Sequence, residues 1–226
     1  LGGSSSFLLS FISSINNSFE LKMTKNEIIK IACKIEIEVL GKPIGRQDQY
    51  LCGSGGINAF SYKKGGIVES VQLTDTQFKV IKETTNNLIL VPTSRSRYAD
   101  NILSKFKDSD ESIESIKKIG QYCEEFFNNK SRSFEVIKSH FYELIIKSWE
   151  EKKKMTNVMD DQLNDQLYDI SSIPNHWIRL IGAGSGGYFL ICPKFDSSDA
   201  ISKLKKKGYF AIKANVSSSG IESHTI

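Results

Sequence analysis

No stretch of this sequence approaches the roughly 20 consecutive apolar residues that a membrane-spanning helix requires. The longest apolar run near the start, Phe7 to Ile12, is interrupted by Ser10, and no basic segment precedes it as in a secretory leader. No membrane-spanning helix is therefore expected within these residues, and a cytoplasmic location with no membrane partner is the expectation. Paired cysteines are missing too. Cys33, Cys52, Cys123 and Cys192 form no C-x-x-C spacing, and the three histidines lie near none of them in sequence. That argues against a zinc site and for reduced thiols. Charge of one sign is scarce. Thirty Lys and Arg against 26 Asp and Glu leave a net +4, too mild to imply a nucleic-acid partner. The one basic knot, Lys203 with Lys205 to Lys207, reads as a solvated helix face. No Gly-Lys-Ser or Gly-Lys-Thr triplet occurs, which excludes a Walker loop. No internal repeat or low-complexity tract is present.

What remains is an ordinary globular composition, 39% hydrophobic and 25% charged over 226 residues, enough for one large domain or two small ones. Leu8, Phe11, Ile12, Ile15 and Phe19 recur at helical spacing. Thr24 with Glu27 forms a capping box for a second helix, whose stripe of Ile28, Ile31, Ala32, Ile35 and Val39 ends at Gly41 and Pro43. A glycine-rich loop is expected from Gly45 to Gly56. A hairpin is expected from Ile57–Tyr62 and Ile67–Leu73, turning at Lys64-Gly65-Gly66. Helical sequence from Thr76 to Thr84 leads to a buried strand at Asn87–Val91. The stretch 96–169 is helical by period, with breaks near Asp108 and between Asn128 and Ser131. Strands follow at His176–Ile181, Tyr188–Cys192 and Tyr209–Val216, with a helix at Ser198–Lys207. That order predicts an α+β sandwich for the second half.

Three groups of residues carry possible chemistry. Leu1-Gly2-Gly3-Ser4-Ser5-Ser6 runs straight into a helix, whose first N–H groups are unpaired and partly positive. Glycines there admit a phosphate and serine hydroxyls can reach a metal, although the same composition also opens flexible linkers. Gly182-Ala183-Gly184-Ser185-Gly186-Gly187 satisfies G-x-G-x-x-G. The run Tyr188–Pro193 that follows is a strand rather than a helix, which excludes the dinucleotide fingerprint. A hairpin loop remains, either presenting bare backbone to another site or simply making a tight turn. Asp48 lies in Gly45-Arg46-Gln47-Asp48-Gln49-Tyr50, twelve positions after Glu36. One carboxylate could hold Mg²⁺ while the other orients or deprotonates a hydroxyl. A turn-capping Asp48 and a solvent-facing Glu36 are the plainer alternative.

Taken together and in order, these residues resemble the motifs of the GHMP kinases, which phosphorylate small alcohols and sugars. Leu1–Ser6 is similar to the end of the family's phosphate loop, Gly182–Gly187 to its third motif, Asp48 to its catalytic aspartate and Glu36 to its magnesium-binding glutamate. Within the family, Gly45–Tyr50, Gly55–Phe60, Thr93–Leu103 and Trp149–Lys153 are most similar to the D-glycero-D-manno-heptose 7-phosphate kinases. The resemblance implies an α+β two-domain fold. A partial N-terminal, ATP-binding domain would occupy residues 1–86, without the family's first motif. A C-terminal sandwich of ferredoxin-like type would occupy residues 87–226.

The resemblance also implies ATP and Mg²⁺ as cofactors. Gly2, Gly3, Ser4, Ser5, Ser6, Gly182, Gly184 and Gly186 would bind ATP, Ser4 and Glu36 the metal, and Asp48 would be catalytic. Arg97, Arg95 and Gln47 would contact a sugar-phosphate acceptor, phosphorylated at its anomeric hydroxyl to a 1,7-bisphosphate. A hexose 1-kinase, or a non-catalytic relative, would carry the same motifs. Ser185, Tyr188 and Ser94 depart from the residues usual at their positions in the family.

Overall fold

The computed structural model describes residues 2–93, 110–155, 158–182 and 184–222. They form two compact units, one of residues 1–71 with 216–226 and one of residues 72–215. The division falls earlier than the expected 86/87 boundary because the helix Asp75–Thr85 packs on Phe134–Lys154 of the second unit. The tail from Val216 returns to the first.

In the first unit, α1 (Gly3–Ser18), α2 (Lys25–Lys34) and α3 (Gln47–Ser54) enclose a small core of Leu9, Ile12, Ile28, Ile29, Ala32, Cys33 and Tyr50. α2 starts as its sequence dictates. Thr24 accepts from the Glu27 N–H at 3.3 Å, and the Glu27 carboxylate accepts the Thr24 N–H at 2.7 Å. The helix then widens into a π turn, Ile35–Val39, closed by the Leu40 N–H on the Ile35 carbonyl at 2.9 Å. The extra residue rotates the stripe, so Val39, expected in the core, is exposed. The expected loop from Gly45 to Gly56 is also corrected, because it contains α3. Its glycines lie mostly at the ends of the run, and Gly53 lets α3 close on Ile29, where a side chain would collide. A two-stranded hairpin, β1 (Phe60–Tyr62) with β2 (Val68–Ser70), completes the unit, shorter than its sequence suggested.

The second unit is built on a four-stranded antiparallel sheet. β3 (Ile89–Pro92), β4 (Asn175–Ile181), β5 (Tyr188–Pro193) and β6 (Ile212–Lys213) lie in the order β4-β5-β3-β6. With α8 (Ser197–Lys206) between β5 and β6, the connectivity is the β-α-β-β-α-β of ferredoxin-like folds. Ile89, Val91, Leu180, Phe189 and Ile191 point to one face, under α7 (Asp161–Ser171) and α8. Leu88, Trp177 and Cys192 meet Tyr142 and Ile145 of α6 (Phe134–Lys154) on the other. α4 (Asp75–Thr85) and α5 (Asp110–Asn128) pack against α6 through Val80, Phe126, Ile137 and Leu144. The strand expected over Tyr209–Val216 shrinks to two residues, because only Ile212 and Lys213 pair with β3.

Candidate functional site

The start of α1 is the focus of the first unit. Gly2 caps the helix in a left-handed conformation, φ +62°, which glycine adopts without penalty. A Cβ on Gly2 would stand 2.7 Å from Cys52 Sγ and 3.8 Å from Asp48 Cβ. Thus α1 begins directly against the first turn of α3, which carries Asp48. A side chain on Gly3 would meet nothing within 4 Å, leaving its backbone approachable.

Glu36 is held beneath this start by the π turn and is almost wholly buried. Its Oε1 accepts from Ser4 Oγ at 3.2 Å and from Lys42 Nζ at 3.1 Å; its Oε2 accepts from Ser5 Oγ at 2.8 Å and from Gln49 Nε2 at 2.5 Å. Burial pushes the carboxyl up, but the hydrogen bonds from Ser5, Gln49 and Lys42 outweigh it and hold Glu36 below the ordinary carboxylate range. Asp48 keeps an exposed face. Protein atoms crowding its carboxyl, and then the Glu36 charge, push its pKa up. The two acids therefore diverge, one firmly ionised and one disposed to take a proton, the pattern that separates a charge holder from a base.

The residues the sequence proposed here thus come together: Gly2, Ser4, Ser5, Glu36 and Asp48 share one corner of one unit, with Gly3 and Ser6 on the same helical turn. Both serines, rather than Ser4 alone, reach Glu36. Lys42 and Gln49 were missed as members of the cluster. Gln49 had a signal in lying next to Asp48; Lys42 follows the π turn, which no periodicity announces. Gln47 lines a neighbouring cavity of about 310 Å³ with Arg46, Tyr62 and Lys63. Arg46 Nη1 donates to the Gly66 carbonyl at 2.6 Å. Burial, followed by Cys33, Tyr50 and Asp48, pushes the Tyr62 hydroxyl up to about 12. Arg95 and Arg97 lie outside the described residues.

The donor set suits the groups the motifs imply. Cis ligands of an octahedral Mg²⁺ at 2.0–2.1 Å stand about 2.9 Å apart, near the 3.2 Å between Ser4 Oγ and Glu36 Oε1. Among the described residues no trio of His, Cys, Asp or Glu forms an all-protein metal cage. Mg²⁺ is more often held by one or two carboxylates with substrate phosphates. The open backbone at Gly3 and the helix N-terminus suit a phosphate.

In the second unit, Gly182, Gly184 and Gly186 form the β4–β5 hairpin loop, all at positive φ with Ser185 and Gly187. A Cβ on Gly184 would stand 2.8 Å from Val158 Cα. The Ser185 N–H bonds the Val158 carbonyl at 2.8 Å and the Gly187 N–H bonds Thr93 Oγ1 at 2.8 Å. Lys152 Nζ donates to the Gly182 carbonyl. The loop is a hairpin, as its sequence implied, and glycine is required at Gly184 both by its φ of +112° and by the close approach of Val158.

The fold is that of the GHMP kinases, and residues 1–56 match the family model of the GHMP kinases N terminal domain. The chain is 24% identical over 230 residues to a D-glycero-alpha-D-manno-heptose 7-phosphate kinase of Campylobacter jejuni subsp. jejuni serotype O:2, covering all of this chain and 67% of that protein. Among solved structures, the Methanococcus jannaschii mevalonate kinase superposes with a TM-score of 0.67 at 21% identity, over 94% of this chain and 62% of that one. A D-glycero-D-manno-heptose 1-phosphate kinase from Bacteroides thetaiotaomicron does so at 0.66 and 15%, over 100% and 64%. The chain therefore spans less than two thirds of the length of these solved structures. Among the described residues no helix is long and apolar enough to cross a membrane.

Proposed function

We propose that the protein is an ATP-dependent sugar kinase that phosphorylates the anomeric hydroxyl of a sugar phosphate, D-glycero-D-manno-heptose 7-phosphate being the favoured acceptor. The observation that carries the proposal is the convergence of a glycine-capped helix start, a saturated anionic Glu36 and a proton-accepting Asp48 within one corner of the first unit. The heptose phosphate rests on the Campylobacter relative and on the segments around Asp48 and Trp149 that resemble that subfamily.

In this reading the N–H groups of Gly3 to Ser5 hold nucleotide phosphate, joined by the hydroxyl of Ser6, whose own N–H bonds the Gly2 carbonyl at 2.8 Å, and Gly182, Gly184 and Gly186 are proposed to bind ATP through their backbone. Ser4 and Glu36 would hold Mg²⁺, with Lys42 withdrawing from Oε1, and the ion neutralises charge on the phosphates when bound. Asp48 orients the acceptor hydroxyl and takes its proton as the sugar oxygen bonds to the γ-phosphorus and ADP leaves. Gln47 contacts the acceptor from the adjoining cavity, and Arg97 and Arg95 are proposed for its distal phosphate, since guanidinium pairs bidentately with phosphate. Function in the cytoplasm on a small acceptor completes the proposal.

The test is a titration of the purified protein with MgATP, followed by measurement of ADP formed with heptose 7-phosphate, galactose, fucose and mevalonate. Turnover with the heptose phosphate alone is expected. Turnover only with unphosphorylated hexoses would replace it with a hexose 1-kinase. A second reading, a non-catalytic relative, is favoured by the fully occupied Glu36, all of whose acceptor positions are taken by protein donors. Absence of MgATP binding by a folded protein would establish that one instead.

A further inference from the structure

The second unit contains a polar cavity of about 200 Å³ that the proposed reaction does not use, framed by the end of α4, the start of α6, the start of β4 and the turn after β5. Lys138, Lys194, His176 and Tyr142 line it, with Glu83 as the one carboxylate. The His176 ring packs on Tyr142 with centroids 4.8 Å apart. Two further lysines stand at its aromatic walls. Lys79 Nζ lies 5.5 Å from the centre of the Phe134 ring, which Lys138 also overhangs at 5.8 Å, and Lys203 Nζ lies 4.2 Å from that of Phe195.

None of these four lysines forms an ion pair among the described residues, although six others do. Two lysines against one glutamate leave the lining at +1 with His176 neutral; beyond the lining, Lys79 and Lys203 add positive charge at the walls against the Glu135 carboxylate that acts on Tyr142. Burial first, and then the charges of Lys138 and Lys194, hold His176 below its ordinary pKa, so the lysines are close enough to be felt there. Unpaired like charges around a concave wall repel one another and focus a positive field into it. An anion relieves both effects. Ammonium groups bind phosphate as point charges, and imidazole and phenol can donate to its oxygens. The volume falls below the ~300 Å³ at which drug-sized ligand pockets begin, which suits a small anion rather than a nucleotide.

We propose that this cavity is a binding site for a phosphate group, with Lys138 and Lys194 as its charged ligands and His176 and Tyr142 as hydrogen-bonding partners. The site does not depend on the kinase reading, since every residue in it belongs to the second unit and none is assigned to nucleotide or acceptor. The phosphate is either inorganic or that of a small phosphomonoester.

The test follows the ring-proton NMR signal of His176, assigned through His176→Gln, while inorganic phosphate or glycerol 3-phosphate is added at constant ionic strength maintained with chloride. A saturable shift with a millimolar or tighter midpoint is expected, accompanied by a rise in the His176 pKa as the anion neutralises the lysines. Lys138→Gln/Lys194→Gln should weaken the midpoint at least tenfold, and the exposed Lys194→Gln alone several-fold, both with unchanged circular dichroism. A tighter midpoint for inorganic phosphate identifies the free ion, and a tighter one for glycerol 3-phosphate an esterified ligand. A linear response equal to that of chloride, or a saturable one unchanged in Lys194→Gln, would overturn the site.

Discussion

Asp48 carries a carboxylate into surroundings that disfavour its charge. Its pKa is raised by crowding and by Glu36, so the folded protein binds that proton more tightly than the unfolded chain. Stability is then lost as pH rises from the unfolded value of about 3.9 through the raised folded one. Asp48→Asn removes that loss. The variant should melt at a higher temperature than the parent at pH 7, with the gap closing below about pH 4, while phosphoryl transfer falls by about 10²–10⁴-fold, as for loss of a general base. Thermal scans across pH and a single-turnover assay measure the two effects; a variant less stable than the parent at pH 7 would refute the assignment. Glu36 has the opposite sign. Its lowered pKa contributes stability that is present above the ordinary carboxylate value and lost as pH falls through the folded one. Glu36→Gln removes the anion shared by four donors. By denaturant titration it should cost about 2 kcal/mol, since hydrogen bonds to charged groups are each worth ~1.5–3 kcal/mol and amide acceptance retains part of the network.

At the scale of elements, side chains that end one helix and begin another set the packing. Gln77 does both. Its amide oxygen accepts the Thr74 N–H at 2.9 Å in the capping box of α4, while Nε2 donates to the Phe126 carbonyl at 2.8 Å and the Asn129 carbonyl at 3.2 Å where α5 ends. Gln77→Ala leaves these groups without it in a buried place and should cost about 2–3 kcal/mol of unfolding free energy. Gly184→Ala should cost about 1–3 kcal/mol, because it combines a disfavoured φ of +112° with a contact on Val158.

Such features also divide what the sequence disclosed from what it hid. The capping box at Thr24, the strand at Ile89 and the hairpin around Gly184 follow from local chemistry, so they were legible. The helix α3 was not, because the glycines flanking it mask an uninterrupted Gln47–Cys52 run. Nor was the exposure of Val39, because a π turn shifts the stripe by one residue without changing its composition. In the candidate site, Gly2, Glu36 and Asp48 were legible as motif residues. Lys42 and Gln49 were not, since their roles arise only when α2 and α3 close on α1.

The whole molecule has unequal parts. Among the described residues, the first unit has a seven-residue buried core of three helices, against which its two-stranded hairpin packs. The second has a four-stranded sheet covered on both faces and a main core of fourteen buried residues. Unequal cores favour separate unfolding, so two transitions are expected in denaturant rather than one. The chain supplies its own discriminating probe. Both tryptophans, Trp149 and Trp177, are buried in the second unit. Their fluorescence should therefore report only the later transition, while far-ultraviolet circular dichroism reports both. Gln77→Ala should lower the fluorescence midpoint. Gly2→Ala, which forces a side chain against Cys52 at φ +62°, should lower only the earlier dichroism step. A ligand that binds the native form alone stabilises it by RT ln(1 + [L]/Kd), about 2.7 kcal/mol at 100 times Kd. MgATP should consequently raise the earlier step, and inorganic phosphate the fluorescence step. Coincident transitions by both probes, shifted together by either ligand, would show that the two units unfold as one cooperative body.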